Sequence, residues 1–172
     1  MSRADEYSVL ELLRDGRLIR VRSLKPADRQ ALVAAVNRTS AQSLYRRFFA
    51  PKRSFTEREV AFFLNVDFVS HVALVAVLED GERPVVGGGR YVVVRPGKAE
   101  VAFVVVDQYQ GLGIGATLMR HLIAIAHEAG IKELIAEVLP DNHAMLKIFR
   151  KTGLPYTTRC EPQVVHVALQ LA

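Results

Sequence analysis

Apolar side chains recur along the chain in two rhythms, alternate positions and every third or fourth, and the switches between them mark its elements. From Leu18 to Leu24, Ile19 and Val21 alternate with Arg20 and Arg22, as in a strand buried on one face. Asp15-Gly16 just before it is a turn signal, so residues 1–16 read as an N-terminal extension. Pro26 suits the first turn of a helix carrying Leu32, Val33 and Val36. A second short helix begins near Ser40, with Leu44 and Phe48 four apart on one face. A third begins at Thr56, where Glu59 completes a capping box ahead of Val60, Phe63 and Leu64.

The rhythm then changes. Val69 to Leu78, Pro84 to Val94 and Ala99 to Val106 read as three strands joined by Asp80-Gly81 and Pro96-Gly97 turns, the second containing Gly87-Gly88-Gly89. Gln110-Gly-Leu-Gly-Ile-Gly opens a long helix with Ile114, Leu118, Leu122, Ile125 and Ala129 on its apolar stripe, and Gly130 stands where its cap belongs. Ile131 to Leu139 is a strand, Asp141 to Thr152 a helix, and Val164 to Leu171 a last strand. The order β-α-α-α-β-β-β-α-β-α-β describes one mixed α/β domain over residues 17–172.

With 172 residues, 50% of them hydrophobic and 24% charged, the chain fills a core and is not globally disordered. Apolar runs such as Val101 to Val106 are too short to span a bilayer, so no membrane partner is expected. The polar N-terminus lacks a signal-peptide core, and the lone Cys160 forms no internal disulfide, which points to the cytoplasm. A net charge of +5 favours anionic partners. The charge is thickest from Arg14 to Arg29 and at Arg46, Arg47, Lys52 and Arg53. No RNP-type motif, zinc-finger spacing or basic heptad helix accompanies it, so nucleic acid is not expected. The five histidines form no HExxH and have one cysteine for company, so no metal site is expected.

The most informative segment runs from Ala99 to Thr117: a buried strand, a short loop, then a glycine-rich helix start. Gly113 and Gly115 let a ligand approach the backbone, while N–H groups and the helix dipole favour a pyrophosphate. A strand-to-helix turn whose glycines only permit tight packing fits the same residues. A P-loop fails because the turn has no lysine. Gly111, Gly113 and Ala116 spell GxGxxA, with Glu133 at a ribose-binding distance, but too little chain follows for the further βαβ units of a dinucleotide fold. The remaining pattern is the acyl-CoA loop [Q/R]-x-x-G-x-[G/A], met by Gln110, Gly113 and Gly115.

On that loop, and on Asn142, Phe149, Lys151, Gly153 and Leu154 downstream, the chain resembles the GNAT superfamily of acetyl-CoA-dependent N-acetyltransferases. It is most similar to Pat-type protein lysine acetyltransferase domains, through Ser43-Leu-Tyr-Arg-Arg-Phe-Phe, Asp67, His71-Val-Ala-Leu-Val-Ala, Ala99-Glu100 and Asn142-His-Ala-Met145-Leu. The resemblance implies a mixed, mostly antiparallel central sheet flanked by helices. It implies acetyl-CoA as cosubstrate, held by backbone around Val104, Val105 and Val106, by the turn Gln110, Gly111, Leu112, Gly113, Ile114, Gly115 and Ala116, and by Asn142.

Transfer to an amine needs a base, since a lysine with a pKa near ~10.4 arrives protonated. The resemblance places that base at Glu100, with Asp67, His71 and Glu137 as substitutes. Many relatives carry a tyrosine acid where this chain has Phe149, which therefore packs against CoA or the core; Tyr109 is a stand-in acid. The implied acceptor is a protein lysine, for instance on an acyl-CoA synthetase, and a homodimer is a further expected assembly. Two other readings stand beside it: an acetyltransferase of a small amine, and a non-catalytic acyl-CoA-binding module.

Overall fold

A computed structural model of the chain describes residues 4–48 and 55–171. Eight strands form one sheet: β1 (Ser8–Leu12), β2 (Leu18–Ser23), β3 (His71–Leu78), β4 (Val85–Arg95), β5 (Lys98–Val105), β6 (Glu133–Val138), β7 (Tyr156–Cys160) and β8 (Val165–Gln170). Their spatial order is β1-β2-β3-β4-β5-β6-β8-β7. Every neighbouring pair is antiparallel except β5 and β6. Among the described residues five α-helices complete the fold: α1 (Arg29–Asn37), α2 (Ala41–Phe48), α3 (Glu57–Leu64), α4 (Ile114–Glu128) and α5 (His143–Lys151). The mixed sheet flanked by helices is the architecture expected of the sequence. The basic residues Lys52 and Arg53 lie outside the described residues.

Two strands were not expected. Ser8–Leu12, read as part of an extension, pairs with β2 from Ser8↔Arg22 to Leu12↔Leu18. Its alternation is hidden because Leu10 and Leu12 face solvent, 49% and 69% exposed, so the apolar residues are on the wrong side for a buried-face pattern. Tyr7 and Glu11 both bond to the buried His121 of α4, Glu11 Oε1 accepting from its Nε2 at 2.6 Å, which ties this edge to the helix. β7 is exposed throughout and polar, so it carries no periodic signal at all.

The helices begin and end as their residues dictate. The Thr56 side chain accepts from Glu59 N at 3.1 Å and Glu59 Oε1 accepts from Thr56 N at 3.1 Å, forming the capping box of α3. The triple glycine of β4 explains how α4 lies close to the sheet. A Cβ on Gly87 would stand 3.1 Å from Ile114 Cγ2, and one on Gly89 would stand 2.6 Å from the Phe103 ring. Gly88 and Arg90 point to the opposite face, where α1, α2 and α3 pack.

Candidate active site

The site begins with a break in the sheet. The parallel ladder between β5 and β6 lasts three pairs, Lys98↔Glu133, Ala99↔Leu134 and Glu100↔Ile135, and then ends. Beyond it the strands part, and Val101 to Val105 on one side and Glu137 and Val138 on the other line a cleft of about 320 Å³. Main-chain groups on the β6-facing edge of β5 have no strand partner there, so they stand available to a ligand.

The glycine turn closes the far end of the cleft. Gly113 caps α4 at φ +92°, a left-handed conformation that a side chain strains. Gly111 and Gly113 line the cleft together with Gln110, Ile114, Gly115 and Ala116. The Gln110 side chain is fixed by donating to Val105 O at 3.0 Å and to Ser43 Oγ at 3.1 Å. Asp107 holds α2 against this loop, accepting from Ser40 N at 2.7 Å and from Ser43 Oγ at 3.3 Å. On the other wall, Asn142 caps α5 by accepting from Met145 N at 3.3 Å and also borders the cleft.

Three cations gather beside the turn. Arg14, in the segment read as an extension, donates to Gly111 O at 3.5 Å, and its guanidinium lies 3.5 Å from where a Gly113 Cβ would sit. Lys147 and Lys151 project from α5 into the same wall. Lys147, then burial and Arg14, hold the Lys151 ammonium below its ordinary pKa, the mark of like charges crowded with no anion between them. Cations, a helix N-terminus and bare glycine backbone fit the phosphates of a CoA molecule.

The expected residues separate into those the structure gathers and those it does not. Val104, Val105, Gln110, Gly111, Gly113, Ile114, Gly115, Ala116 and Asn142 line the cleft. Val106 does not: it is 2% exposed and its N–H donates to Val86 O at 2.9 Å, which keeps it in the sheet. Leu112 packs on the core and offers the cleft no side chain. Phe149 is fully buried on the inner side of α5, so it belongs to the core and not to the cleft wall. Arg14 was missed because its contact with Gly111 across 97 positions leaves no local pattern, and Lys147 because its place on the wall depends on how α5 faces the cleft.

Glu100 is exposed and stands where the ladder ends. Strand alternation puts it on the same face as Ala102 and Val104, which border the cleft. Of the substitutes, Glu137 lines the cleft itself. Asp67 is held far below the carboxylate range by the Ser70 hydroxyl and the N–H groups of Val69, Ser70 and His71, so it is a poor proton acceptor. Burial, with Arg90 beside it, pushes His71 down to about 4, and its Nε2 already accepts from Arg90 Nη1 at 2.8 Å. Among the described residues no group of three His, Cys, Asp or Glu side chains is placed to hold a metal ion, and no helix is long and apolar enough to cross a membrane.

Comparison with known proteins agrees with this geometry. The model of the acetyltransferase (GNAT) family matches residues 38–154. An acetyltransferase of Pseudomonas aeruginosa is 34% identical over 138 residues, 79% of this chain and 74% of that one. Acetyltransferase Pat of Mycolicibacterium smegmatis is 36% identical over 145 residues, 82% of this chain but 42% of the relative's length. The crystal structure of the GNAT domain of S. lividans PAT superposes with a TM-score of 0.86 at 34% identity, covering 95% of this chain and 96% of that one. A sheet parted beside a glycine-capped helix and these matches give one conclusion: the chain belongs to the GNAT acetyltransferase family and is an N-acetyltransferase dependent on acetyl-CoA.

Proposed function

We propose that the chain acetylates a lysine side chain of a protein, with Glu100 as general base. The observation that carries this reading is the position of Glu100. It is an exposed carboxylate at the point where β5 and β6 part, on the sheet face that borders the cleft, within reach of an amine presented from outside. The similarity to Pat-type domains supports a protein lysine as the acceptor. An acyl-CoA synthetase is the first protein to try, by that similarity alone.

Acetyl-CoA brings the acetyl group as a thioester. The glycine turn from Gln110 to Ala116, with Arg14, Lys147 and Lys151, would hold its phosphates, and Asn142 with the parted edge of β5 its amide-bearing arm. Unpaired N–H groups of β5 donate toward the carbonyl that takes up negative charge. Glu100 receives the proton that the ammonium must lose before attack, and no side chain forms a bond to the acetyl group. Phe149, shut in the core, supplies no acid. Tyr109, 7% exposed but bordering the cleft, is the hydroxyl nearest that role.

Glu100→Gln preserves size and removes the proton acceptor. The turnover number should fall by about 10²–10⁴-fold with acetyl-CoA affinity unchanged. Near-full activity in Glu100→Gln, together with loss in Glu137→Gln, would move the base across the cleft to β6.

A further inference from the structure

Next to Glu100, on the face away from α4, lies a charged cluster that holding acetyl-CoA does not use. Arg47 from α2 and Arg90 from β4 both border a second cavity of about 60 Å³, and Arg47, Ala102 and Val104 line this cavity and the main cleft alike. The two spaces therefore adjoin at Arg47. The Arg47 guanidinium lies over the Phe48 ring at 4.6 Å and Arg90 over Phe63 at 4.7 Å, with the two rings 5.9 Å apart.

Among the described residues neither guanidinium is in a salt bridge, although the charge of Glu100 reaches Arg47. No described carboxylate lies within 4.0 Å of either. Arg90 Nη1 donates to Phe63 O at 3.1 Å and to the neutral His71, and Arg47 makes no hydrogen bond to a described residue. Burial, and then Arg47, push Arg90 down to about 9; burial lowers Arg47 as well, against the Glu100 charge, which raises it. Two like charges crowded in a partly buried site, with Glu100 acting only on Arg47 and no ion pair at either among the described residues, are costly unless a ligand supplies a further anion.

We propose that Arg47 and Arg90 form a carboxylate-binding subsite on the acceptor side of the cleft, so that the substrate carries an acidic group near the amine that is acetylated. The inference rests on the reading of Glu100 as the base facing the acceptor. Glu100 sits opposite Val92, and Arg90 lies two residues along β4 opposite Ala102, so Glu100 and Arg90 are diagonal neighbours on one face. Such neighbours are about 7–8 Å apart. An ammonium at Glu100 and a carboxylate at the arginines thus fall within one amino acid, or within two adjacent side chains of a protein. Planar guanidiniums with free N–H groups match a carboxylate in geometry as well as in charge. The carboxylate belongs either to a free amino acid or to an acidic residue beside the target lysine.

The test uses the whole chain and two readouts. In the first, calorimetry follows glutarate added to the wild type and to Arg47→Gln; saturable binding in the wild type and its loss in the variant are expected. In the second, transfer is compared between lysine peptides flanked by Glu or Gln, and between free amino acids and their amides. The carboxylate form should show a KM lower by about tenfold or more, and Arg47→Gln should bring that ratio close to one. The pair that shows the preference identifies the source of the carboxylate. Absence of glutarate binding, or a ratio near one in the wild type, overturns the subsite. Glutarate binding that Arg47→Gln abolishes, with no amine acetylated, upholds the subsite and overturns the lysine-acceptor reading.

Discussion

Gly88 and Gly89 are neighbours on β4, yet a methyl group added to each should act in opposite directions. At Gly89 the new Cβ would stand 2.6 and 2.9 Å from two carbons of the Phe103 ring and 3.1 Å from Leu122 Cδ1. Leu122 is 0% exposed and has no room to withdraw, and Phe103, 9% exposed, can yield only by moving into the cleft that it lines. Overpacking of this kind costs about 1–3 kcal/mol. Replacing glycine by alanine restricts the unfolded chain and returns about 0.4–1 kcal/mol. The net loss for Gly89→Ala is therefore about 1–2 kcal/mol. At Gly88 the nearest atom is Leu74 O at 3.5 Å, an ordinary contact, so only the gain remains. A change of 1 kcal/mol moves the Tm of a domain this size by roughly 2–4 °C. Thermal unfolding followed by circular dichroism should place Gly89→Ala about 2–8 °C below the wild type and Gly88→Ala level with it or a few degrees above. Urea titrations should show the same order in midpoint at an unchanged slope. If Gly88→Ala proved the more damaging substitution, the facing assigned to β4, and with it the side from which Arg90 enters the acceptor cavity, would be wrong.

Three further outcomes are expected. Gly113→Glu puts an anion where the turn faces Arg14, and should abolish acetyl-CoA binding in calorimetry while the chain stays folded. His71, pushed down to about 4 in the fold against about 6.5 when unfolded, takes up its proton more readily in the unfolded chain, so stability should fall as pH drops from about 6.5 to about 4. His71→Gln keeps an acceptor for Arg90 and should flatten that part of the denaturation profile; an unchanged profile would remove His71 as its cause. Phe149→Tyr should bring no gain in rate and lower stability by about 1–3 kcal/mol, because the hydroxyl enters a fully buried position; a faster enzyme would contradict the burial of Phe149.

The parts of this molecule legible in its sequence are those governed by neighbours in the chain. Thr56 and Glu59 announce α3 because a capping box closes over three residues, and Gln110 to Gly115 announce a ligand turn because backbone freedom and helix start coincide there. β1 and β7 were illegible because burial, not strand formation itself, writes the alternating pattern, and neither strand buries an apolar face of its own. The site was half legible for the same reason. Its glycine wall is local, whereas Arg14 arrives from the edge of the sheet and Arg47 nears Arg90 only after α2 folds over β5, beside β4. Phe149 matched a motif position but not a place in the cleft, since the turn of α5 that offers Met145 and Ile148 to the cleft points Phe149 inward.

The attachment of Arg14 to the outermost strand couples two properties that are usually separate. Edge strands open at lower free energy than central ones, and β1 has a neighbour on one side only. Tyr7, just before it, and Glu11, near its end, clasp it to His121, and its exit carries Arg14 onto the carbonyls of Gly111 and Leu112. Whatever anion affinity Arg14 contributes exists only while that edge is closed. By reciprocity, an occupied phosphate site must suppress fraying of the edge by the same free energy. Hydrogen exchange at β1 thereby becomes a gauge of cosubstrate occupancy at a distance from the chemistry.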